Sequence, residues 1–116
     1  MGPWACFVLE HTGNADIVAI GAIEQRCLLS PLYAHEGTYI PAVGVAGAYQ
    51  GMGYSRVLMD NVLNESRQQS GDYVWAEVSE TNARAQRLFD NNLFDRCPVR
   101  FIAEPDAKYA MWWRDK

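Results

Sequence analysis

Nowhere in these 116 residues do lysines and arginines gather into a block, and the formal net charge is -4. An electrostatic grip on a nucleic-acid backbone therefore has no source, and no nucleic-acid partner is expected. An acidic chain instead tilts toward a cationic small-molecule partner such as an amine. No apolar run approaches the roughly 20 residues of a membrane span, so no membrane partner is expected and the chain reads as cytoplasmic. Cysteine is scarce: Cys6, Cys27 and Cys97 are odd in number and lack metal-ligand spacing. That argues against a disulfide framework or a metal site, and their apolar surroundings read as those of reduced core cysteines. Repeats, linkers and low-complexity stretches are also missing. With 49% hydrophobic and 21% charged residues, the chain reads as a single folded domain over residues 1–116, too short for a second core.

What remains is a succession of short elements. Ala5 to Glu10 and Asp16 to Glu24 are rich in β-branched and apolar residues and flank "HTGNA", whose Gly and Asn accept positive φ, so they read as a hairpin. A loop carrying Ser30, Pro31, His35, Glu36 and Gly37 leads into a third strand from about Thr38 to Val45. Pro41 removes a backbone donor from that strand, which must be irregular or unpaired on one side there. From Met52 or Gly53 to about Ser70, Tyr54, Val57, Leu58 and Val62 recur at helical spacing, and Gly71 ends the helix. Tyr73 to Val78 reads as a buried strand. Asn82 can cap a second helix whose buried stripe is Ala85, Leu88 and Phe89. Closing strands at about Phe94 to Ile102 and Ala107 to Arg114 flank the turn "EPDA". The expected fold is α/β of the α+β kind: a mixed, largely antiparallel sheet of about six to seven strands with two helices and one parallel crossover.

The stretch "VAGAYQGMGYSRVLMD", Val45 to Asp60, is where chemistry is first visible. A strand that passes through Gly51 and Gly53 into a helix N-terminus presents unpaired N–H groups and the positive end of a helix dipole, an anion site by construction. Glycines keep a Cβ from holding a pyrophosphate away, and Arg56 one turn later adds charge. The same two glycines also serve a plain turn. A P-loop is excluded by the absence of a Gly-Lys-Ser/Thr ending, and a dinucleotide loop would want glycine where Arg56 stands.

Val45, then Gln50, Gly53 and Ser55 at a strand-to-helix junction resemble the acetyl-coenzyme A pyrophosphate loop of the GNAT superfamily of N-acetyltransferases, commonly Gln or Arg, two residues, Gly, one residue, then Gly or Ala. Downstream, "NARAQRLFDNNLF" resembles that superfamily's Asn-x-x-Ala-x-x-Leu-Tyr-x-x-x-Gly-Phe, with Asn82, Ala85, Leu88 and Phe94 in register. The resemblance spans nearly the whole chain and implies a GNAT-like acyl-CoA N-acyltransferase fold. It implies acetyl-coenzyme A as acyl donor, held by Val43, Gly44 and Val45 of the third strand and by Gln50, Gly51, Met52, Gly53, Tyr54, Ser55 and Arg56 of the loop. Asn82, Ala85 and Phe89 of the second helix complete the set. There are three departures: Phe89 stands where many members carry a tyrosine, Tyr39 where some place a glutamate base, and Ser55 replaces the loop's last glycine. The family's opening strand and helices have no counterpart ahead of Trp4.

Acetyl transfer from a thioester to an amine needs an unprotonated amine, a stabilised oxyanion and a protonated thiolate. Glu24, Glu77, Glu36 and His35 are the ionisable candidates, with Tyr39, Tyr33 and Tyr49 as hydroxyl candidates; Tyr39, Glu24 and Glu77 are the expected catalytic positions. For each carboxylate the competing reading is a solvated strand-end charge. The expected activity is acetyl transfer to a primary amine of a small molecule or peptide. The alternatives are a non-catalytic module that binds a coenzyme A thioester or a protein partner, and a purely structural subunit. Trp4, Met111, Trp112 and Trp113 suggest apolar surface that a homodimer would cover.

Overall fold

The computed structural model describes the backbone of residues 4–29, 34–104 and 107–116, and the side chains of residues 5–25, 37–97 and 108–116. Strands β1 (Trp4–Glu10), β2 (Ile17–Leu29) and β3 (Ala34–Val45) lead through a short 3-10 turn, Gly47–Tyr49, to helix α1 (Tyr54–Ser66). Strand β4 (Tyr73–Ser79), helix α2 (Ala83–Asn91), β5 (Asp95–Glu104) and β6 (Ala107–Asp115) follow. They form one six-stranded sheet in the order β1-β2-β3-β4-β6-β5, antiparallel throughout except for the β3–β4 pair.

Both helices pack on the same face of the sheet. Leu58, Met59 and Val62 of α1 and Phe89 of α2 share one core with Val74, Ala76 and Val78 of β4 and with Ala110 and Trp112 of β6. Each large apolar side chain buried there stabilises the fold by about 1.5–3 kcal/mol before entropy is counted. The buried stripe of α1 is Leu58, Met59, Val62, Leu63 and Ser66, whereas Val57, expected in it, is 46% exposed. The stripe is centred one position further round the helix than the pattern suggests, because α1 lies mainly over β2 and β3.

Three boundaries differ from expectation. The helix ends at Ser66, not beside Gly71, with Arg67 as its C-cap and turns in between. Strands β2 and β3 continue their pairing out to Leu29 and Ala34, through residues expected to be loop. Cys6, read as a core cysteine, is exposed on β1, and Cys97 is half-buried. Ser30, Pro31 and Tyr33, and Pro105 with Asp106 of the expected last turn, lie outside the described residues.

Strand β3 carries the irregularity that Pro41 implies. Ala42 pairs with Ala22 and Tyr39 with Glu24, so Ile40 and Pro41 together face the single residue Ile23. This is a bulge. On its other side β3 pairs with β4 only from Gly37 to Tyr39. Gly37 permits that approach, since a Cβ there would sit 2.9 Å from the carbonyl oxygen of Tyr73. Beyond Tyr39 no further β3–β4 pairing occurs, and the sheet opens.

Candidate acyl-donor cleft

The opening has a chemical consequence that follows from alternation. The Ala46 N–H donates to the Val18 carbonyl at 2.7 Å. Stepping back along the antiparallel pair, Gly44 and Ala42 then give their N–H and C=O to β2, and those of Val43 and Val45 point toward the side where β4 has diverged. The outward groups of Val43 and the Val45 N–H therefore form a backbone edge with no strand partner among the described residues. The Gln50 Nε2 donates to the Val45 carbonyl at 3.1 Å, tying the loop back to the strand it leaves.

At the end of this edge the chain turns sharply. Gly51 (φ 77°) and Gly53 (φ 83°) both occupy the left-handed region, and Gly53 is the N-cap of α1 without any side-chain cap bond. A Cβ at either position would meet open space, so the backbone conformation, not crowding within the protein, calls for glycine. The N–H groups of Gly51 to Ser55 have no backbone acceptor among the described residues, while Arg56 N–H already donates to Gly53. Several amides and the positive end of a helix dipole thus face outward together.

A cleft of about 400 Å³ lies between this edge, the helix start and α2. Its apolar walls are Val43, Val45, Ala85 and Leu88. Gly44, Gln50, Gly51, Ser55 and Asn82 also line it, and its charged residues are Arg84 and Arg87 of α2. A groove that combines apolar walls, an unpaired strand edge, helix-start amides and two arginines suits an extended amide chain ending in phosphates. The Asn82 Oδ1 accepts the Ala85 N–H at 3.0 Å, the cap expected of it.

The other expected donor-binding residues do not line the cleft itself, although Met52, Gly53 and Tyr54 belong to the turn whose amides face outward. Met52 is 64% exposed, and neither it nor Gly53, Tyr54 or Arg56 lines the cleft. Phe89 is buried with its ring 4.9 Å from that of Phe94, on the core side of α2. Arg84, Arg87 and Asn91 line the cleft without having been singled out from sequence. The i, i+3 spacing of the two arginines beside the Asn82 cap was the available signal.

Tyr49 also lines the cleft, and a distant segment holds it there. Its hydroxyl donates to Asp16 Oδ2 at 2.8 Å and accepts from Asn14 Nδ2 at 3.3 Å. The Asn14 Oδ1 meanwhile accepts the Asp16 N–H at 3.0 Å, which fixes the amide's orientation. The Tyr49 ring stands edge-on to Tyr54, the first residue of α1, at 5.8 Å. Asn14 lowers the Tyr49 pKa, but the bond to Asp16, partial desolvation and the neighbouring charges outweigh it and raise the phenol above its ordinary value.

The expected catalytic positions occupy the other face of the sheet. Glu24 and Tyr39 are half-buried cross-strand partners, the Tyr39 ring lies 4.6 Å from that of Trp75, and Glu77 is exposed on β4. The side chains of His35 and Glu36 lie outside the described residues.

Comparison with known proteins agrees with this geometry. Residues 2–93 match the model of the acetyltransferase (GNAT) family. The chain is 29% identical over 101 residues to the [ribosomal protein bS18]-alanine N-acetyltransferase of Haemophilus ducreyi, covering 85% of this chain and 64% of that relative's length. A GNAT-family structure from Desulfovibrio desulfuricans superposes with a TM-score of 0.77 at 17% identity, over 98% of this chain and 69% of the other. Arabidopsis thaliana NAA60, in complex with a bisubstrate analogue, gives 0.75 at 18% identity, over 98% and 76%. A six-stranded sheet that splays beside a glycine-led helix start, together with the match over most of its length, makes this chain a member of the GNAT acetyltransferase family.

Proposed function

We propose that the chain transfers an acetyl group from acetyl-coenzyme A to a primary amine of a small molecule or peptide. The observation that carries this reading is the cleft, in which a free β3 edge ends at unpaired helix-start amides opposite Arg84 and Arg87. The amides of Gly51 to Ser55 and the two guanidinium groups hold the pyrophosphate. The outward backbone of Val43 and the Val45 N–H pair with the amides of the donor's arm, and Ala85 and Leu88 keep water from it. When bound, the donor supplies an activated acetyl thioester. The acceptor must lose a proton, and Glu24, Glu77 and Tyr39 are the groups we assign to proton handling. The relative from Haemophilus ducreyi is named as an alanine N-acetyltransferase, which supports an amine acceptor. We further propose a homodimer that works in the cytoplasm, in keeping with the free thiols of Cys6 and Cys97.

A second reading is a module that binds the thioester without transferring its acetyl group. Phe89 favours it, since that position supplies a buried ring and no hydroxyl. Thermal melting with acetyl-coenzyme A tests both: a rise in Tm is expected, and no shift at saturating ligand rejects both. Release of free thiol across an amine panel then decides between them.

A further inference from the structure

The opening between β3 and β4 has a closed end, and strand register fixes its length. Val45 and Tyr39 face Ala19 and Glu24 of β2, five residues apart on that strand, so the edge between them runs about 17 Å. The bulge at Ile40 and Pro41 accounts for the shortening, because six steps along β3 advance only five along its partner. At Tyr39 the slot stops. The Tyr39–Trp75 pair is the first of three that join β3 and β4 side by side, the others being Thr38–Val74 and Gly37–Tyr73.

Both faces of the sheet are filled at this point. On the helix-covered side Ile40 and Val74 belong to the core, and Thr38 is fully buried. Trp75 lies between the core residues Val74 and Ala76 in sequence and so alternates to the helix-free face. There its ring and that of Tyr39 are 4.6 Å apart and tilted by 47°. Trp75 is only 4% exposed and Tyr39 is half-buried. A group advancing along the β3 edge therefore meets paired backbone ahead, the core on one side and two aromatic rings on the other.

The length of the donor decides what reaches that end. An arm leaving the amides of Gly51 to Ser55 joins the strand at Val45, which Gln50 ties to the loop. Between pyrophosphate and sulfur, the arm of coenzyme A carries two amides with their flanking carbons, equivalent to roughly four to five residues of extended chain, or about 15 Å. Its sulfur thus falls about one residue step short of the Tyr39–Trp75 pair, and the acyl group spans the remainder. We propose that this pair gauges the acyl group, admitting acetyl and rejecting butyryl and longer chains, with the Tyr39 ring setting the limit. The inference rests on the acetyl-transfer reading above for the donor's placement, and on the closed slot for the selectivity. In an open slot each added methylene would leave binding unchanged or tighten it by leaving water. Against a closed end it must displace packed groups, which weakens binding instead. The sign of the chain-length dependence separates the two.

Calorimetric titration with coenzyme A and its acetyl, propionyl and butyryl thioesters tests the gauge without an acceptor and without turnover. The butyryl thioester should bind about tenfold more weakly than the acetyl one, with propionyl between them. Tyr39→Ala should remove most of that difference, whereas Tyr39→Phe, which keeps the ring, should preserve it. Should the alanine variant fail to fold, Tyr39→Val places a β-branched residue suited to a strand at the same position and gives the same comparison. The ratio between two thioesters on one protein does not respond to a general loss of stability. Equal affinities for the acetyl and butyryl thioesters, or a ratio left unchanged when the ring is removed, overturn the gauge and leave the donor reading standing. A ratio abolished in Tyr39→Phe also overturns it, since the hydroxyl and not the ring would then set the limit. If no form of coenzyme A binds, the donor reading falls and the gauge falls with it.

Discussion

Tyr49 joins two segments that the sequence keeps 33 residues apart, and its ring reaches the donor cleft from one side while its hydroxyl is held from the other. Tyr49→Phe removes both hydrogen bonds and keeps the ring, so the loop before α1 should lose order while the core stays packed. The expected result is a several-fold weaker affinity for acetyl-coenzyme A with little change in Tm, measured by calorimetry and melting. The pH dependence has a definite sign. A phenol held above its ordinary pKa stabilises the fold below the unfolded tyrosine's pKa, and that contribution is lost as pH rises through the folded value. Donor affinity should therefore stay flat through neutrality and fall only in the alkaline range. In Asp16→Asn, tyrosinate absorbance should show one tyrosine titrating earlier than in the parent. Gly53 makes a different demand: at φ 83° any side chain is strained, so Gly53→Ala should cost about 1–2 kcal/mol in urea unfolding, although its Cβ would meet nothing.

Helix α2 is where a cap, a core contact and a binding face meet within nine residues. Asn82 caps it, Phe89 anchors it, and Arg84 with Arg87 turn toward the cleft. Asn82→Ala should cost about 0.5–2 kcal/mol of stability and also weaken donor binding, because a frayed first turn no longer positions Arg84. Arg84→Gln with Arg87→Gln should leave stability nearly unchanged and weaken binding by roughly tenfold at low salt, with the difference shrinking as ionic strength rises. Equal salt dependence in parent and variant would show that these charges do not reach the ligand. Much of this helix was legible, since capping and an apolar stripe are local properties. Its cationic face was not, because two arginines on an acidic chain look the same whether they face solvent or a cleft. Helix α1 shows the same limit. Its period is plain in the sequence, but which side the sheet covers depends on where β2 and β3 lie, and so Val57 was expected inside and Met59 and Leu63 were not.

At the scale of the whole molecule, the order of elements and the parallel crossover could be read from the chain, and Pro41 pointed to the irregular strand that opens the cleft. The alignment of Glu24, Tyr39, Trp75, Trp113 and Asp95 across the sheet could not, because these residues become neighbours only through the register of five separately spaced strands. The same register exposes another part of the helix-free face. Val8 of β1 pairs with Ile20 of β2, and the two are 54% and 50% exposed, with exposed Cys6 on the same strand. Strand β1 is also the sheet's edge, and its alternate backbone groups have no strand beyond them among the described residues. An apolar edge of this kind invites pairing with another edge, and a two-fold axis lets one patch cover its own copy. We therefore expect a homodimer whose contact includes Val8 and Ile20. Light scattering at micromolar concentration should give twice the 13.1 kDa chain mass. Val8→Lys with Ile20→Lys should yield a folded monomer, since neither side chain belongs to the core and a lysine on an edge blocks strand addition. A parent already monomeric at these concentrations, or a lysine variant that remains dimeric, would remove this face from the account of how the molecule assembles.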